Sequence, residues 1–283
     1  MPGRPRVIRN IASLRAAVRN YRQAGGRVAL VPTMGALHER HLSLVALARR
    51  RADQVVVSIF VNPTQFAPNE DLANYPRSFD ADILALAQAE ADLVWAPAVE
   101  TMYPDGLATW IAPSGPAVVG LEDAFRPSFF RGVATVVAKL LSQCLPDFAV
   151  FGEKDYQQLK VVKRMVRDLD MPVKIIAGRT VREADGLALS SRNVYLSPTE
   201  RAIAPTLYHV LTRCADQIRA ARPILKVLAD GRKVIEEAGF TLDYFEARHS
   251  ETLEPVGRDY RGPLRLLVAA RLGATRLIDN IAA

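Results

Sequence analysis

The sequence predicts a doubly wound parallel α/β sheet followed by a smaller α+β domain. Short apolar runs alternate with amphipathic segments from residue 13 to residue 178, as in repeated strand–helix–strand units with right-handed crossovers. The apolar runs are continuous rather than alternating, as strands covered by helices on both faces require. Beyond residue 180 this alternation ends. We therefore expect one domain over residues 1–180 and a second over residues 181–283.

Each element of the first domain follows from its apolar pattern and its end signals. SLRAAVRNYRQAG at 13–25 is an amphipathic helix closed by a glycine pair, and RVALVP at 27–32 is a short buried strand. ERHLSLVALARRRA at 39–52 has helical spacing, and DQVVVSIFVNP at 53–63 is a second buried strand. The remaining predictions are helices at 80–91, 131–145 and 155–170, and strands at 92–97, 147–152 and 172–178.

A change of rhythm marks the second domain. Residues 197–221 and 223–239 carry apolar residues at helical spacing, whereas 241–253 and 264–281 have the character of strands. Helices grouped before strands favour an α+β domain.

Composition excludes several classes of protein. The 283 residues are 49% hydrophobic and 24% charged, which is ordinary globular composition. The longest apolar runs, such as VVVSIFV at 55–61, are too short to cross a membrane, and the first ten residues contain no apolar signal core. Cys144 and Cys214 are far apart and form no CxxC motif. We therefore expect a cytoplasmic protein without membrane contact or disulfides.

The formal net charge of +7 favours anionic partners. The Lys and Arg residues are scattered, and no basic stripe is interleaved with aromatic residues. Small anions such as phosphates are therefore expected in preference to nucleic acid.

The segment VPTMGALHERHLSLV places His38 and His41 at the start of a predicted helix. A zinc protease motif needs two histidines four residues apart with a glutamate base, and this spacing is one residue short. Two imidazoles three apart share a helix face, and a helix N-terminus after a parallel strand attracts phosphate. A phosphate-binding pair and two ordinary half-buried helix residues both remain open.

Three further segments follow predicted strands or lie at the domain junction. In FGEKDYQQL, Gly152 permits close backbone approach, Lys154 suits phosphate, and Asp155 suits a ribose or a helix cap. GLALSSRN at 186–193 offers two hydroxyls and an arginine for a triphosphate. VNPTQF at 61–66 presents two neutral polar side chains. Capped, solvated loops are the structural alternative for each segment.

Five segments in one order resemble the pantothenate synthetase (pantoate–β-alanine ligase) family. They are PTMGALHERH at 32–41, NPTQF at 62–66, YPRSFDAD at 75–82, FGEKDYQQL at 151–159 and LALSSRNVYLS at 187–197. The resemblance runs from about residue 7 to the C-terminus. It implies a Rossmann-like fold of the nucleotidylyl transferase type with a His-x-Gly-His motif, and a cytoplasmic homodimer.

The resemblance implies an ATP-dependent ligase. Pantoate would attack the α-phosphorus of ATP, release pyrophosphate and form pantoyl adenylate, and β-alanine would then displace AMP. Mg²⁺ would share the pyrophosphate charge. The second domain would act as a lid, because an acyl adenylate hydrolyses when water reaches it.

The same resemblance assigns site residues. His41, His38, Lys154 and Arg192 would be catalytic. ATP would contact Met34, Gly35, Ala36, Leu37, His38, Glu39, Arg40, His41, Gly152, Glu153, Lys154, Asp155, Val181, Leu189, Ser190, Ser191 and Arg192. Gln65 and Gln158 would hold pantoate, and the β-alanine side would use Gln65, Asn62, Tyr75 and Arg126, with Glu122 nearby. Asp82 is a loose candidate for Mg²⁺.

Four positions depart from the family pattern. Arg40 stands where the motif has glycine, and it would point to solvent, cover the nucleotide or block it. Ser128 replaces a glycine, Phe129 a histidine, and Asp123 a frequent glycine. Two alternatives to the ligase therefore stay open: a sibling ligase for another small acid or amine, and a nucleotide-binding paralogue disabled by Arg40.

Overall fold

The computed structural model describes residues 3–66, 72, 75–258 and 260–283. The chain folds into two compact units. The first unit comprises Met1–Ser114, Arg126–Glu153 and Val161–Arg179. The second comprises Gly115–Phe125, Lys154–Lys160 and Thr180–Ala283. The predicted division into domains of residues 1–180 and 181–283 stays a prediction.

A six-stranded sheet forms the first unit, and every pairing in it is parallel. The strands are β1 (Arg6–Ile8), β2 (Val28–Thr33), β3 (Gln54–Ile59), β4 (Leu93–Trp95), β5 (Phe148–Gly152) and β6 (Lys174–Gly178), in the order β1-β4-β3-β2-β5-β6. The strand order changes direction between β2 and β5. The predicted doubly wound parallel sheet is thereby confirmed, and ligands of such sheets bind where the order reverses.

Helices connect these strands. They are α1 (Ile11–Gln23), α2 (Glu39–Arg49), α3 (Phe79–Gln88), α4 (Val99–Met102), α5 (Glu122–Phe125), α6 (Phe129–Cys144) and α7 (Tyr156–Asp168). Asn10 caps α1 by accepting a hydrogen bond from the Ser13 N–H. Helix α6 ends at Leu145, whose φ of 49° is left-handed. Short 3₁₀ turns cover Pro63–Gln65, Gly115–Ala117, Glu153–Asp155 and Ser191–Tyr195.

The core of the first unit explains its continuous apolar runs. All four residues from Val28 to Val31 in β2 are fully buried, so both faces of the strand are covered. Ala29 and Val31 belong to a cluster with Leu44 of α2. A Cβ on Gly178 would lie 2.2 Å from a Leu44 methyl carbon, so glycine in β6 lets the Leu44 side chain of α2 pack directly on the strand.

A three-stranded antiparallel sheet and three helices form most of the second unit. The strands are β7 (Thr241–His249), β8 (Leu264–Leu272) and β9 (Thr275–Ala282), paired in the order β7-β8-β9. The helices are α8 (Pro198–Ile203), α9 (Thr206–Arg219) and α10 (Ile224–Glu237). Their apolar faces and the sheet share one core that includes Leu211, Phe245 and Leu266. This confirms the predicted α+β character.

The part of the chain that the structure describes contains no helix with both the length and the apolar character needed to cross a membrane.

Candidate functional site

The turn between β2 and α2 is held by a buried carboxylate. Gly35 and Ala36 have φ values of 84° and 50°, so successive backbone N–H groups point inward. The Asp82 carboxylate accepts the N–H groups of Ala36 at 3.0 Å and Leu37 at 2.9 Å. It also accepts the Ser78 hydroxyl at 3.1 Å and is only 3% exposed. Asp82 therefore fixes the turn, and its predicted contact with Mg²⁺ stays a prediction.

His38 and His41 lie together at the N-terminus of α2. His38 is the N-cap residue in extended conformation, and the two ring centroids are 4.4 Å apart. The backbone N–H of His38 donates to Nδ1 of His41 at 3.4 Å. A neutral His41 that accepts at Nδ1 carries its proton on Nε2. The pair therefore combines an imidazole donor with the positive end of a helix dipole, which suits an anion.

Arg40 is the second residue of α2 and is half-buried. The three expected positions of its side chain, toward solvent, over the nucleotide or blocking it, stay predictions. Its carbonyl accepts the Ser43 hydroxyl at 2.8 Å inside the helix. Among the described residues, no group of three or more His, Cys, Asp or Glu side chains could hold a metal ion.

Asn62 organises the turn after β3. It is 1% exposed, and its amide nitrogen donates to Oε1 of Gln65 at 3.0 Å and to the Gly132 carbonyl at 3.4 Å. Its amide oxygen accepts the Tyr103 hydroxyl at 2.8 Å and the Thr64 hydroxyl at 3.0 Å. The buried Asn62 therefore orients the side chain of Gln65, which is itself only half-buried.

Arg126 and Tyr75 also lie near this turn. Arg126 donates to the Gln65 carbonyl at 3.0 Å, and its guanidinium carbon lies 3.7 Å from the ring centroid of Phe129. The ring of Tyr75 packs edge-on against Phe66, with centroids 5.7 Å apart. The predicted amine-side residues Asn62, Gln65 and Arg126 are thus brought together in the first unit.

Gly152 ends β5, the strand that pairs with β2 in the sheet. An added Cβ would meet only a Leu44 methyl, at 3.9 Å, so the backbone here is open to close approach. Glu153 follows in a 3₁₀ turn and is half-buried. The predicted nucleotide residues Met34 to His41 and Gly152 therefore lie at the ends of the two strands where the sheet order reverses.

In the second unit, Lys154 is buried, and its carbonyl accepts the Asn280 amide nitrogen at 2.8 Å. Gln157 is also buried and donates to the Pro116 carbonyl and the Asp123 carboxylate, each at 2.9 Å. Its neighbour Gln158 is half-buried, as is Asp155. Of the two glutamines, Gln158 is therefore the one suited to a substrate.

The segment from Val181 to Asn193 is anchored on β9. Arg182 makes a bidentate ion pair with Asp279, at 2.6 and 2.9 Å, and its guanidinium lies 3.9 Å from the Tyr208 ring centroid. The Leu189 N–H donates to the Val181 carbonyl at 3.0 Å. The sequence analysis missed Arg182, Asp279 and Asn280. The signal that could have found them was the pair of adjacent polar residues, Asp279 and Asn280, within the otherwise apolar end of β9.

Lys154 and Ser190 line one small cavity of about 10 Å³, together with Asn193 and Asp279. The Ser190 hydroxyl accepts the Arg192 N–H at 3.2 Å, Ser191 is half-buried and Arg192 is exposed. The predicted Lys154 and Ser190 therefore line the same cavity in the second unit.

Glu122 is buried in an ion network that sequence reasoning did not foresee. Arg276 donates to both carboxylate oxygens of Glu122 at 2.8 Å and also forms an ion pair with Asp243. The Tyr244 hydroxyl donates to Glu122 at 2.8 Å. Burial, and then the Glu122 charge, raise the pKa of Tyr244 well above its ordinary value. Glu122 thus ties the segment 115–125 to the antiparallel sheet.

Of the other departures from the family pattern, Asp123 has a local role. Asp123 accepts the N–H groups of Gly120 and Leu121 at 2.9 and 3.0 Å. Burial acts to raise the pKa of Asp123, but these bonds and the one from Gln157 lower it. Ser128 is the exposed N-cap residue of α6. Nothing in the structure explains why serine stands there.

A parallel sheet with an order reversal, and with glycine and histidine residues after the strands that flank it, defines an α/β protein of the Rossmann-like class. A family profile described as "Pantoate-beta-alanine ligase" matches residues 6–282. The chain belongs to this family, which confirms the resemblance seen in the five segments. It is accordingly a ligase that forms an amide bond.

Curated relatives and solved structures agree with this assignment. "Pantothenate synthetase 2" of Bradyrhizobium diazoefficiens is 62% identical over 278 residues, which are 98% of each chain. The pantothenate synthetase of Nitrobacter winogradskyi is 60% identical over 99% of each chain. The crystal structure of pantothenate synthetase from Thermus thermophilus has a TM-score of 0.91 at 47% identity, covering 98% of both chains. A pantoate-beta-alanine ligase from Francisella tularensis, complexed with beta-gamma ATP and beta-alanine, has a TM-score of 0.80 at 35% identity, covering 98% of this chain and 97% of that one.

Proposed function

We propose that this protein condenses pantoate with β-alanine to pantothenate at the expense of ATP, which becomes AMP and pyrophosphate. The observation that carries the proposal is the family match over residues 6–282, with relatives about 60% identical over nearly the whole chain. The complex of the Francisella tularensis ligase supports ATP and β-alanine as small-molecule substrates.

In the first step, a carboxylate oxygen of pantoate attacks the α-phosphorus of ATP, and the bond from that phosphorus to pyrophosphate breaks. Negative charge gathers on the phosphates, so fixed donors and cations accelerate the step. His41 donates from Nε2, and His38 supports it on the same helix end. Lys154 and Arg192 supply positive charge, with Ser190 and Ser191 as hydroxyl donors.

Other nucleotide contacts follow the predicted assignments. The backbone of Met34 to Leu37 and the first turn of α2 face the phosphates, with their conformation set by Asp82. Gly152 and Asp155 face the ribose, and Val181 and Leu189 lie on the adenine side. Glu153, Glu39 and Arg40 complete the proposed set.

In the second step, the amine nitrogen of β-alanine attacks the acyl carbon, the C–N bond forms, and AMP leaves with the former carboxylate oxygen. Gln65 and Gln158 hold the pantoyl group, and Arg126 and Tyr75 lie on the amine side. We assign Asn62 to orienting Gln65 rather than to contacting β-alanine, because its amide is buried and bonded within the protein.

Mg²⁺ would accompany ATP and neutralise part of the phosphate charge. Mg²⁺ in nucleotide sites is held mainly by substrate phosphates, waters and one or two carboxylates. Asp82 remains the carboxylate considered for it.

A cytoplasmic homodimer is part of the same proposal and rests on the family resemblance. Light scattering on the eluting peak of a size-exclusion column gives the mass directly. Twice the chain mass of 31.1 kDa supports the dimer, and a single chain mass rejects it.

A substrate panel tests the proposed activity. Pyrophosphate release is measured with pantoate and related hydroxy or keto acids, each with β-alanine, glycine or 4-aminobutyrate. The highest kcat/KM is expected for pantoate with β-alanine. Equal or greater kcat/KM on another pair would reject this substrate assignment while leaving adenylate chemistry in place.

A further inference from the structure

A stacked cation lies beside the turn that carries Gln65. The guanidinium carbon of Arg126 is 3.7 Å from the centroid of the Phe129 ring, which is close contact for a cation over an aromatic face. The edge of the same guanidinium donates to the Gln65 carbonyl at 3.0 Å. Its face and its edge are thus fixed by two different partners, both in the first unit.

The ring beneath this cation is itself held. Phe129 opens α6, and its backbone N–H donates to the Arg126 carbonyl at 3.0 Å. Its ring packs edge-on against Phe130, with centroids 5.1 Å apart, and Phe130 is 3% exposed. Phe129 therefore presents a ring face to the guanidinium of Arg126 while its ring also packs on the buried Phe130.

The Gln65 turn is fixed to the same helix. A Cβ on Gly132 would lie 2.3 Å from the Thr64 carbonyl oxygen, so only glycine lets the turn sit this close to α6. Asn62 joins the two by donating to the Gly132 carbonyl and to Gln65. Phe129, Arg126 and Gln65 consequently form one set with little freedom to shift.

We propose that Phe129 is a positioning residue, which holds Arg126 at a set distance from Gln65 so that Arg126 anchors the carboxylate of the amine substrate. This rests on the proposed function. A planar guanidinium is suited to recognising a carboxylate, and stacking lowers the entropy cost of ordering its long side chain. The amine of β-alanine is uncharged when it attacks, so the carboxylate is the group by which a cation recognises this substrate.

The role of Phe129 is expected to affect only the second of the two half-reactions. Pyrophosphate exchange with ATP and pantoate needs no amine, whereas pantothenate formation does. Phe129→Leu removes the aromatic face but keeps an apolar side chain. We expect it to raise the KM for β-alanine about 3- to 10-fold, from the usual strength of such a contact. The KM values for ATP and pantoate in the exchange reaction are expected to change less than twofold.

Phe129→Trp keeps an aromatic face and should retain the wild-type KM for β-alanine. Trp110→Leu is a matched control. The guanidinium carbon of Arg131, which is also in α6, lies 4.3 Å from the Trp110 ring centroid, so this change removes a similar cation–aromatic contact. It should leave all three KM values unchanged.

Two results would overturn the role of Phe129. One is a KM for β-alanine within twofold of wild type in Phe129→Leu. The other is an equal rise of all three KM values, which would indicate general loss of structure. A wild-type protein that exchanges pyrophosphate with pantoate yet joins no β-alanine would instead reject the proposed function, and this proposal with it.

Discussion

At the scale of single residues, Asp82 and His41 lie at the turn and at the helix end where we propose that phosphate binds. The Ala36 and Leu37 N–H groups form a concavity for negative charge, and the chain fills it with the Asp82 carboxylate. That contact fixes the residues that lead into α2 and its histidine pair. Asp82 thus acts by holding the turn in place, because its oxygens accept hydrogen bonds from the turn itself.

Asp82→Ala should raise the KM for ATP about tenfold or more, because two backbone N–H groups lose a charged acceptor. Asp82→Asn keeps one acceptor oxygen and should have a smaller effect. The measurement is pyrophosphate exchange at varied ATP. Asp80→Ala, an exposed position on the same helix, is the control and should behave as wild type. An unchanged KM in Asp82→Ala would contradict the role of Asp82.

His41→Ala should lower the rate of adenylate formation about 10²- to 10³-fold, the usual scale for losing a donor to a charged transition state. Single-turnover measurement of pyrophosphate formation with pantoate and ATP gives this rate. His209→Ala removes an exposed histidine of α9 and controls for loss of an imidazole. If adenylate formed at the wild-type rate in His41→Ala, the proton donor would have to be another group.

At the scale of elements, β9 supports two separate segments of the second unit. Its neighbouring residues Asp279 and Asn280 bond to Arg182 and to the Lys154 carbonyl, respectively. Lys154 and Ser190 line the same small cavity. The strand therefore holds the backbone of Lys154 and the segment that carries Ser190.

Asn280→Ala should lower the first-step kcat about 3- to 10-fold, because losing the hydrogen bond to the backbone carbonyl of Lys154, the proposed catalytic cation, costs about 1 kcal/mol. Asn20→Ala, at an exposed asparagine of α1, is the matched control. Stopped-flow release of pyrophosphate measures the step. A full wild-type rate with Asn280→Ala would show that β9 does not position Lys154.

Strands and helices were predictable where burial leaves a pattern. The predicted strand 147–152 and the observed β5 (Phe148–Gly152) nearly coincide, because the strand is a continuous apolar run. The predicted helix at 197–221 is instead two helices separated at Pro205, where proline starts a new helix. The short strand β1 was missed, because three residues with one buried side chain give no period.

Contacts between distant residues were not predictable. Arg182 and Asp279 are 97 positions apart, and Lys154 and Asn280 are 126 apart. Motif spacing gives no information on such pairs. The same applies to the buried Asn62 amide, which bonds to Gly132 and Tyr103, 70 and 41 positions away. Its predicted contact with β-alanine stays a prediction.

At the scale of the whole molecule, the fold matches solved pantothenate synthetases over 98% of the chain despite Arg40, Asp123, Ser128 and Phe129. The proposed reaction activates a carboxylate as an adenylate and then transfers its acyl group to an amine. An acyl phosphate route would also join pantoate and β-alanine. The two routes differ in where the carboxylate oxygen ends.

Pantoate labelled with ¹⁸O in its carboxylate decides between these routes in one experiment. The protein is incubated with labelled pantoate, ATP and β-alanine, and the nucleotide and phosphate products are analysed by mass spectrometry. Attack at the α-phosphorus predicts one ¹⁸O in AMP and unlabelled pyrophosphate. Label in orthophosphate, together with ADP as the nucleotide product, would show an acyl phosphate intermediate and reject the adenylate.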